Sequence, residues 1–287
     1  MRIGVVGDVH RCFDAIDVEQ LDGLGYAAIL FVGDIAGYFH SGGVETAQII
    51  AGLQTPAMVI PGNHDAANVG QMAAEVLDND ALAGLFDLGQ EERERDFEAA
   101  LGPVELVGYS RHPIDDGDRR IDVIACRPHS AGGPRLAFRP RLEERFGVRD
   151  FEDSRRRIVE QVDQSDAEDL VFLAHNGPTG LGDTREDIWG CDFRDSEGDF
   201  GDPDLEHAIA YAVDRGKRVL AVVAGHMHHA LRGGGLRSWC VERAGTLYVN
   251  AARVPRIFER DGRLLRHHVE LTIDDDGVSV REVVLGS

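Results

Sequence analysis

Residues 2 to 10, Arg2-Ile3-Gly4-Val5-Val6-Gly7-Asp8-Val9-His10, decide how the rest of the chain is read. A short apolar run ends in glycine, then presents a carboxylate and an imidazole two residues apart. The apolar stretch predicts a buried β-strand. In extended backbone, residues i and i+2 point the same way, so Asp8 and His10 can approach one ligand together. The same design recurs. Apolar runs at 28 to 32, 57 to 60, 170 to 174 and 218 to 224 end in Gly33-Asp34, Gly62-Asn63-His64-Asp65, His175-Asn176-Gly177 and Gly225-His226-Met227-His228.

Helix-like segments at 44 to 53, 67 to 77, 152 to 164 and 203 to 215 separate these strands, with Asp202-Pro203 as an N-cap and first turn. A second group of strands, at 104 to 108, 120 to 126, 246 to 250, 267 to 273 and 278 to 284, reads as antiparallel, the last pair joined by Asp274-Asp275-Asp276-Gly277. Strands of both kinds without a linker predict an α/β fold, a two-sheet β-sandwich flanked by helices, formed by residues 1 to 287 as one domain.

Loops that follow C-terminal strand ends gather at one edge of an α/β sheet. Five clusters of His, Asp and Asn therefore converge. One Asp after a strand is usually a turn former or cap, and one His usually a satisfied core or surface residue. Five clusters with compatible chemistry are better explained as a metal site. Imidazole, carboxylate and amide oxygen suit divalent Mn, Fe, Zn or Mg without thiolate.

Asp8-x-His10, Gly33-Asp34, Gly62-Asn63-His64-Asp65, His175 and Gly225-His226-x-His228 together resemble the motif series of calcineurin-like metallophosphoesterases, in order and spacing. That resemblance implies a four-layer architecture and two divalent metal ions. Asp8, His10 and His228 would hold one ion, Asn63, His175 and His226 the other, and Asp34 would bridge them. It further implies hydrolysis of a phosphomonoester or phosphodiester by a metal-bridging hydroxide. His64 would be the general acid, and Asp65 would either orient its imidazole or raise its pKa, or be a purely structural residue of that turn. Two dications, two carboxylates and a hydroxide sum to about +1, a local attraction for phosphate.

The second motif continues Ile35-Ala36-Gly37-Tyr38 and lacks the Asp-Arg pair of the phosphoprotein phosphatase branch, which makes that alternative less attractive. Gly-Asn-His-Asp resembles the phosphodiesterase-like branches. His175-Asn176-Gly177-Pro178 with Gly201-Asp202-Pro203-Asp204 is similar to a cyanobacterial and chloroplast branch. A retromer subunit of the same fold serves as a non-catalytic scaffold, but its catalytic centre is degraded. Here His64 and all seven ligand positions are present.

Composition narrows the substrate. Thirty basic against 51 acidic residues give a formal charge of -21, which repels long nucleic acid and anionic membrane. A small-molecule or nucleotide phosphate ester is expected. Lys217 is the sole lysine among those 30 basic residues, an Arg-rich, acid-rich balance that suits a high-salt cytoplasm or a GC-rich genome. No leader-like N-terminus, no long apolar run and no C-x-x-C pair among Cys12, Cys126, Cys191 and Cys240 point to a cytoplasmic protein with reduced thiols. Arg11, Arg185 and Arg194 are candidates for the phosphate's distal group. The stretch 180 to 202 is expected to be a wall or lid beside the metals, or a solvated loop with core anchors.

Overall fold

The computed structural model describes residues 1–37, 42–66, 90–193 and 198–286. The helix expected at 67 to 77, His40 and Arg194 lie outside them.

The apolar runs form the parallel centres of two sheets. In the first, β1 (Arg2–Val6), β2 (Ala28–Phe31), β3 (Ala57–Val59) and β4 (Glu105–Leu106) run parallel. On the other side of β1, β12 (Arg263–Asp274) pairs antiparallel with it, with β11 (Ile257–Arg260) and with β13 (Gly277–Gly286). The second sheet has the order β5 (Ser110–Asp115), β6 (Arg120–Ala125), β7 (Asp169–Leu173), β8 (Arg218–Ala224), β10 (Thr246–Asn250), β9 (Cys240–Arg243). Its four middle strands are parallel and its two edges antiparallel.

The antiparallel reading of the second strand group holds for 267 to 273 and 278 to 284, which pair as β12 and β13, but is corrected elsewhere. The strand at 104 to 108 extends β3 in parallel, and β10 runs parallel to β8 while meeting only β9 antiparallel. Orientation is set by the long-range partner, which a single apolar run does not encode.

The sheets face each other across one apolar layer. Ile3, Val5 and Leu30 of one meet Val123, Val171 and Val223 of the other within a single buried cluster. Helices α1 (Ala15–Gly23), α2 (Gly43–Ile50) and α4 (Gln90–Ala100) cover the first sheet through Leu21, Ile50 and Phe97. The four-residue α3 (Asn63–Ala66) carries part of the polar site. Helices α5 (Arg139–Phe146), α6 (Phe151–Asp163) and α7 (Pro203–Asp214) cover the second sheet through Leu142, Ile158 and Leu205. The result is the four-layer sandwich. Asp202 caps α7 by position only, because its carboxylate is engaged by Arg127 and Ser130 instead.

Candidate metal centre

Both sheets deliver ligand-type side chains to the same edge. The first supplies Asp8 and His10 after β1, Asp34 after β2, and Asn63 with His64 after β3; the second supplies His175 after β7 and His226 with His228 after β8. They form two groups, Asp8-His10-His228 and Asp34-His175-His226, within each of which the ligating atoms lie no more than 4.8 Å apart. Asn63 joins the second group, its Oδ1 standing 3.0 Å from both His175 Nε2 and His226 Nδ1. Asp34 reaches both, with Oδ1 3.5 Å from His175 Nε2 and Oδ2 3.7 Å from His10 Nε2. The structure thus brings together all seven residues expected as ligands.

Proton placement shows what this arrangement lacks. His175 Nδ1 donates to the Val32 carbonyl at 2.6 Å, which leaves Nε2 facing Asn63 Oδ1 and Asp34 Oδ1 as the nitrogen available to a metal. His10 repeats the pattern. Its Nδ1 faces the Ala36 carbonyl at 3.3 Å, while its Nε2 lies 3.2 Å from His228 Nε2. Burial, only partly offset by Asp8, holds the His10 ring neutral with a pKa of about 4, and burial drives His226 down as well. Burial, then the charges of Asp8 and Asp65, pushes Asp34 well up. Asp8 experiences the same burial, but its hydrogen bond with His228 and the surrounding imidazoles hold its carboxyl low. Converging lone pairs and closely spaced carboxylates repel one another unless cations sit between them. The oxygen and nitrogen donor set fits two divalent ions.

Backbone geometry explains how the loops come so close. His10, Asp34 and His226 all adopt left-handed φ, +42°, +50° and +66°, conformations costly for non-glycine residues and concentrated at functional sites. Cross-loop hydrogen bonds hold them there. The His10 N–H donates to the Asp34 carbonyl at 2.7 Å, and the His226 N–H donates to both Asp8 carboxylate oxygens at 3.1 Å. At Gly225 a side chain is excluded, since an added Cβ would overlap Asp8 Oδ1 and stand 2.7 Å from Val32 Cγ2.

A family model for calcineurin-like phosphoesterases matches residues 1–230. The chain belongs to the calcineurin-like phosphoesterase family. It is therefore a metal-dependent phosphate ester hydrolase by family, and divalent ions are that family's cofactors. One solved structure shares the fold over 98% of each chain, with a TM-score of 0.53 at 11% identity. An archaeal phosphodiesterase, 11% identical, aligns over 99% of this chain and all of its own, TM-score 0.41. A metallophosphoesterase from Sphaerobacter thermophilus, 15% identical, aligns over 99% and 88%, TM-score 0.36. No curated protein matches.

Around the candidate ligands of this phosphoesterase lies a ring of groups of mixed legibility. Asp65, expected either to act on the His64 imidazole or to be a structural turn residue, directs its carboxylate to backbone amides, Oδ1 accepting from Ala36 and Oδ2 from Gly62, each at 2.8 Å. It ties two ligand loops together. His64 stands edge-on to His10, ring centroids 5.3 Å apart. Asn250 ends β10 and fixes the His226 loop, its Nδ2 donating to the Met227 carbonyl at 2.6 Å and to the Ile188 carbonyl at 3.2 Å. It is a polar residue at a strand end, the same signal as the other clusters. Buried Arg237 donates from Nε to the His228 carbonyl at 2.7 Å and from Nη1 to the carbonyls of Arg185, Asp187 and Gly190. No sequence pattern marked it. Through it, the described part of 180 to 202 is knitted to the His228 loop, with Trp189 fully buried and Phe200 nearly so. These described residues are anchored by Arg237 and by buried aromatic side chains.

The remaining histidines have structural partners or face solvent: His112 meets Glu105, His229 reaches the Asn250 carbonyl, His267 meets Glu282, His268 meets Tyr26, and His207 is exposed. Arg11 packs beside Gly42, and Arg185 donates to the Arg232 carbonyl. All four cysteines are free thiols. Among the described residues, no helix is long and apolar enough to cross a membrane.

Proposed function

We propose that this phosphoesterase, acting as one domain in the cytoplasm, hydrolyses a phosphomonoester or phosphodiester of a small molecule or nucleotide. The observation that carries this reading is the convergence of lone pairs at His10, His175 and Asn63 around two carboxylates. Asp8, His10 and His228 would hold one ion, Asn63, His175 and His226 the other, with Asp34 between them. When bound, the ions supply charge for the phosphoryl oxygens and a nucleophilic water available near neutral pH. His64 stands at the edge of the ligand set and protonates the leaving oxygen as its bond to phosphorus breaks. The backbone amides on Asp8 and Asp34 fix both carboxylates before substrate arrives. Four free thiols support a reducing compartment, and the charge of -21 disfavours long nucleic acid.

The deciding experiment assays metal-stripped protein on para-nitrophenyl phosphate and bis-para-nitrophenyl phosphate after adding Mn, Mg, Zn or Fe. Turnover restored by metal and lost in Asp34→Asn and His64→Ala is expected, and the faster ester separates monoesterase from diesterase. Tight metal binding without turnover on either ester would instead favour a highly selective enzyme or a non-catalytic scaffold.

A further inference from the structure

The loop carrying Asn63 and His64 belongs to the first sheet, yet part of its backbone is held from the second. His129, just beyond β6, donates its N–H to the Pro61 carbonyl at 2.8 Å and its ring Nδ1–H to the Gly62 carbonyl at 3.1 Å. The next atoms along are held from elsewhere. The Gly62 N–H donates to Asp65 at 2.8 Å, and the His64 N–H donates to Asp34 at 2.9 Å. His129 is 3% exposed and adopts φ +59°, a left-handed conformation unfavourable for histidine. Phe138 closes the edge of its ring at 6.2 Å between centroids.

We propose that His129 is a positioning residue for the reaction, clamping the Pro61–Gly62 peptide from the opposite sheet and thereby setting Asn63 and His64 against His175 and His226. The inference rests on the phosphoesterase reading above. Its physical basis is that Asn63 stands between two imidazoles of the second sheet, at 3.0 Å from each. A shift of the first sheet's loop by even about 1 Å opens those distances and displaces His64, and misplacement of that size costs on the order of 100-fold in rate. The two carbonyls that His129 holds immediately precede Asn63. No other contact described between the two sheets' loops grips the backbone at that point.

Glycine and asparagine both tolerate a left-handed φ, so His129→Gly and His129→Asn separate the ring's hydrogen bond from the backbone conformation. In His129→Gly, kcat is expected to fall about 10- to 100-fold with KM changed less than about threefold. Titration with Mn²⁺ is expected to show one ion bound as in the wild type and the second weakened about tenfold or more. His129→Asn, whose side-chain amide can donate to the Gly62 carbonyl, is expected to recover most of both losses.

Wild-type kcat and second-ion affinity in His129→Gly would overturn the proposal, and so would equal impairment of the Gly and Asn variants. Should His129→Gly fail to fold, His129→Asp against His129→Asn makes the same comparison, because a carboxylate cannot donate. Absence of metal-restored turnover in the wild type would sink the phosphoesterase reading alone, and the Mn²⁺ titration would still decide on His129.

Discussion

At the scale of single residues, the centre is governed by how closely backbone can approach side chain. Gly225 N–H donates to the His175 carbonyl at 2.7 Å, which places its Cα directly against Asp8. In Gly225→Ala the new methyl must displace either the Asp8 carboxylate or the β8 strand end, and neither can move without carrying a ligand with it. Activity is expected to fall about 100-fold or more, while overpacking lowers the stability of the metal-free protein by only about 1–3 kcal/mol. Kinetics beside a denaturant curve checks both; near-normal turnover would show that the Asp8 loop is more pliable than its hydrogen bonds imply. The candidate ligands stood out in the sequence because each lies at or just beyond the end of an apolar run. The two readings of Asp65, acting on an imidazole or serving the turn structurally, could not be separated from sequence, since motif spacing places a residue in a loop but does not say whether its carboxylate faces an imidazole or two amides.

At the scale of elements, the strands that could be read were those buried on both faces. β1, β2, β7 and β8 are continuous apolar runs, and a buried parallel strand requires that pattern. The unread strands β5, β9 and β11 carry sequences such as Ser110-Arg111-His112-Pro113 and Cys240-Val241-Glu242-Arg243. They meet solvent, and their pairing rather than their composition makes them strands. Helix α4, with Phe97 buried among mostly charged residues, was missed for the same reason. Arg237 shows what such patterns omit, a buried cation that binds backbone carbonyls and holds the 185 to 192 segment onto the His228 loop. Arg237→Met keeps much of the volume and removes the donors. It is expected to cost about 3 kcal/mol or more, to accelerate amide exchange across 185 to 192, and to weaken the ion bound by His228 about tenfold. Unchanged exchange in that segment would assign its order to Trp189 packing alone.

At the scale of the whole molecule, stability should follow the protonation of buried histidines. His129 lies beside the second sheet and His268 within the first, and burial, the largest influence on each, holds both near a pKa of about 4. For His129, Glu94 partly opposes that effect; for His268, Arg256 adds to it and Glu270 opposes it. Their unfolded value is near 6.5, so the unfolded chain takes up protons first as pH falls. The stabilisation from keeping these rings neutral is complete above about pH 6.5 and is lost progressively toward pH 4, with a slope of at most about 1.4 kcal/mol per pH unit for each histidine. Urea midpoints of metal-loaded protein at pH 7, 6 and 5 are expected to fall in step, and to fall less in His129→Asn/His268→Asn. Identical slopes would show that both rings are protonated in the folded protein.

Every candidate ligand lies before residue 230, yet the first sheet is completed by β11, β12 and β13 at residues 257 to 286. β1 takes β12, far along the chain from it, as its antiparallel neighbour, Arg2 opposite Thr272 and Val5 opposite Val269. During synthesis the apolar edge formed by Ile3 and Val5 is covered only once the residues up to β12 have emerged. The nascent protein therefore carries an open strand edge while the residues between β1 and β12 are made, a stage at which chaperone binding would guard against intermolecular pairing.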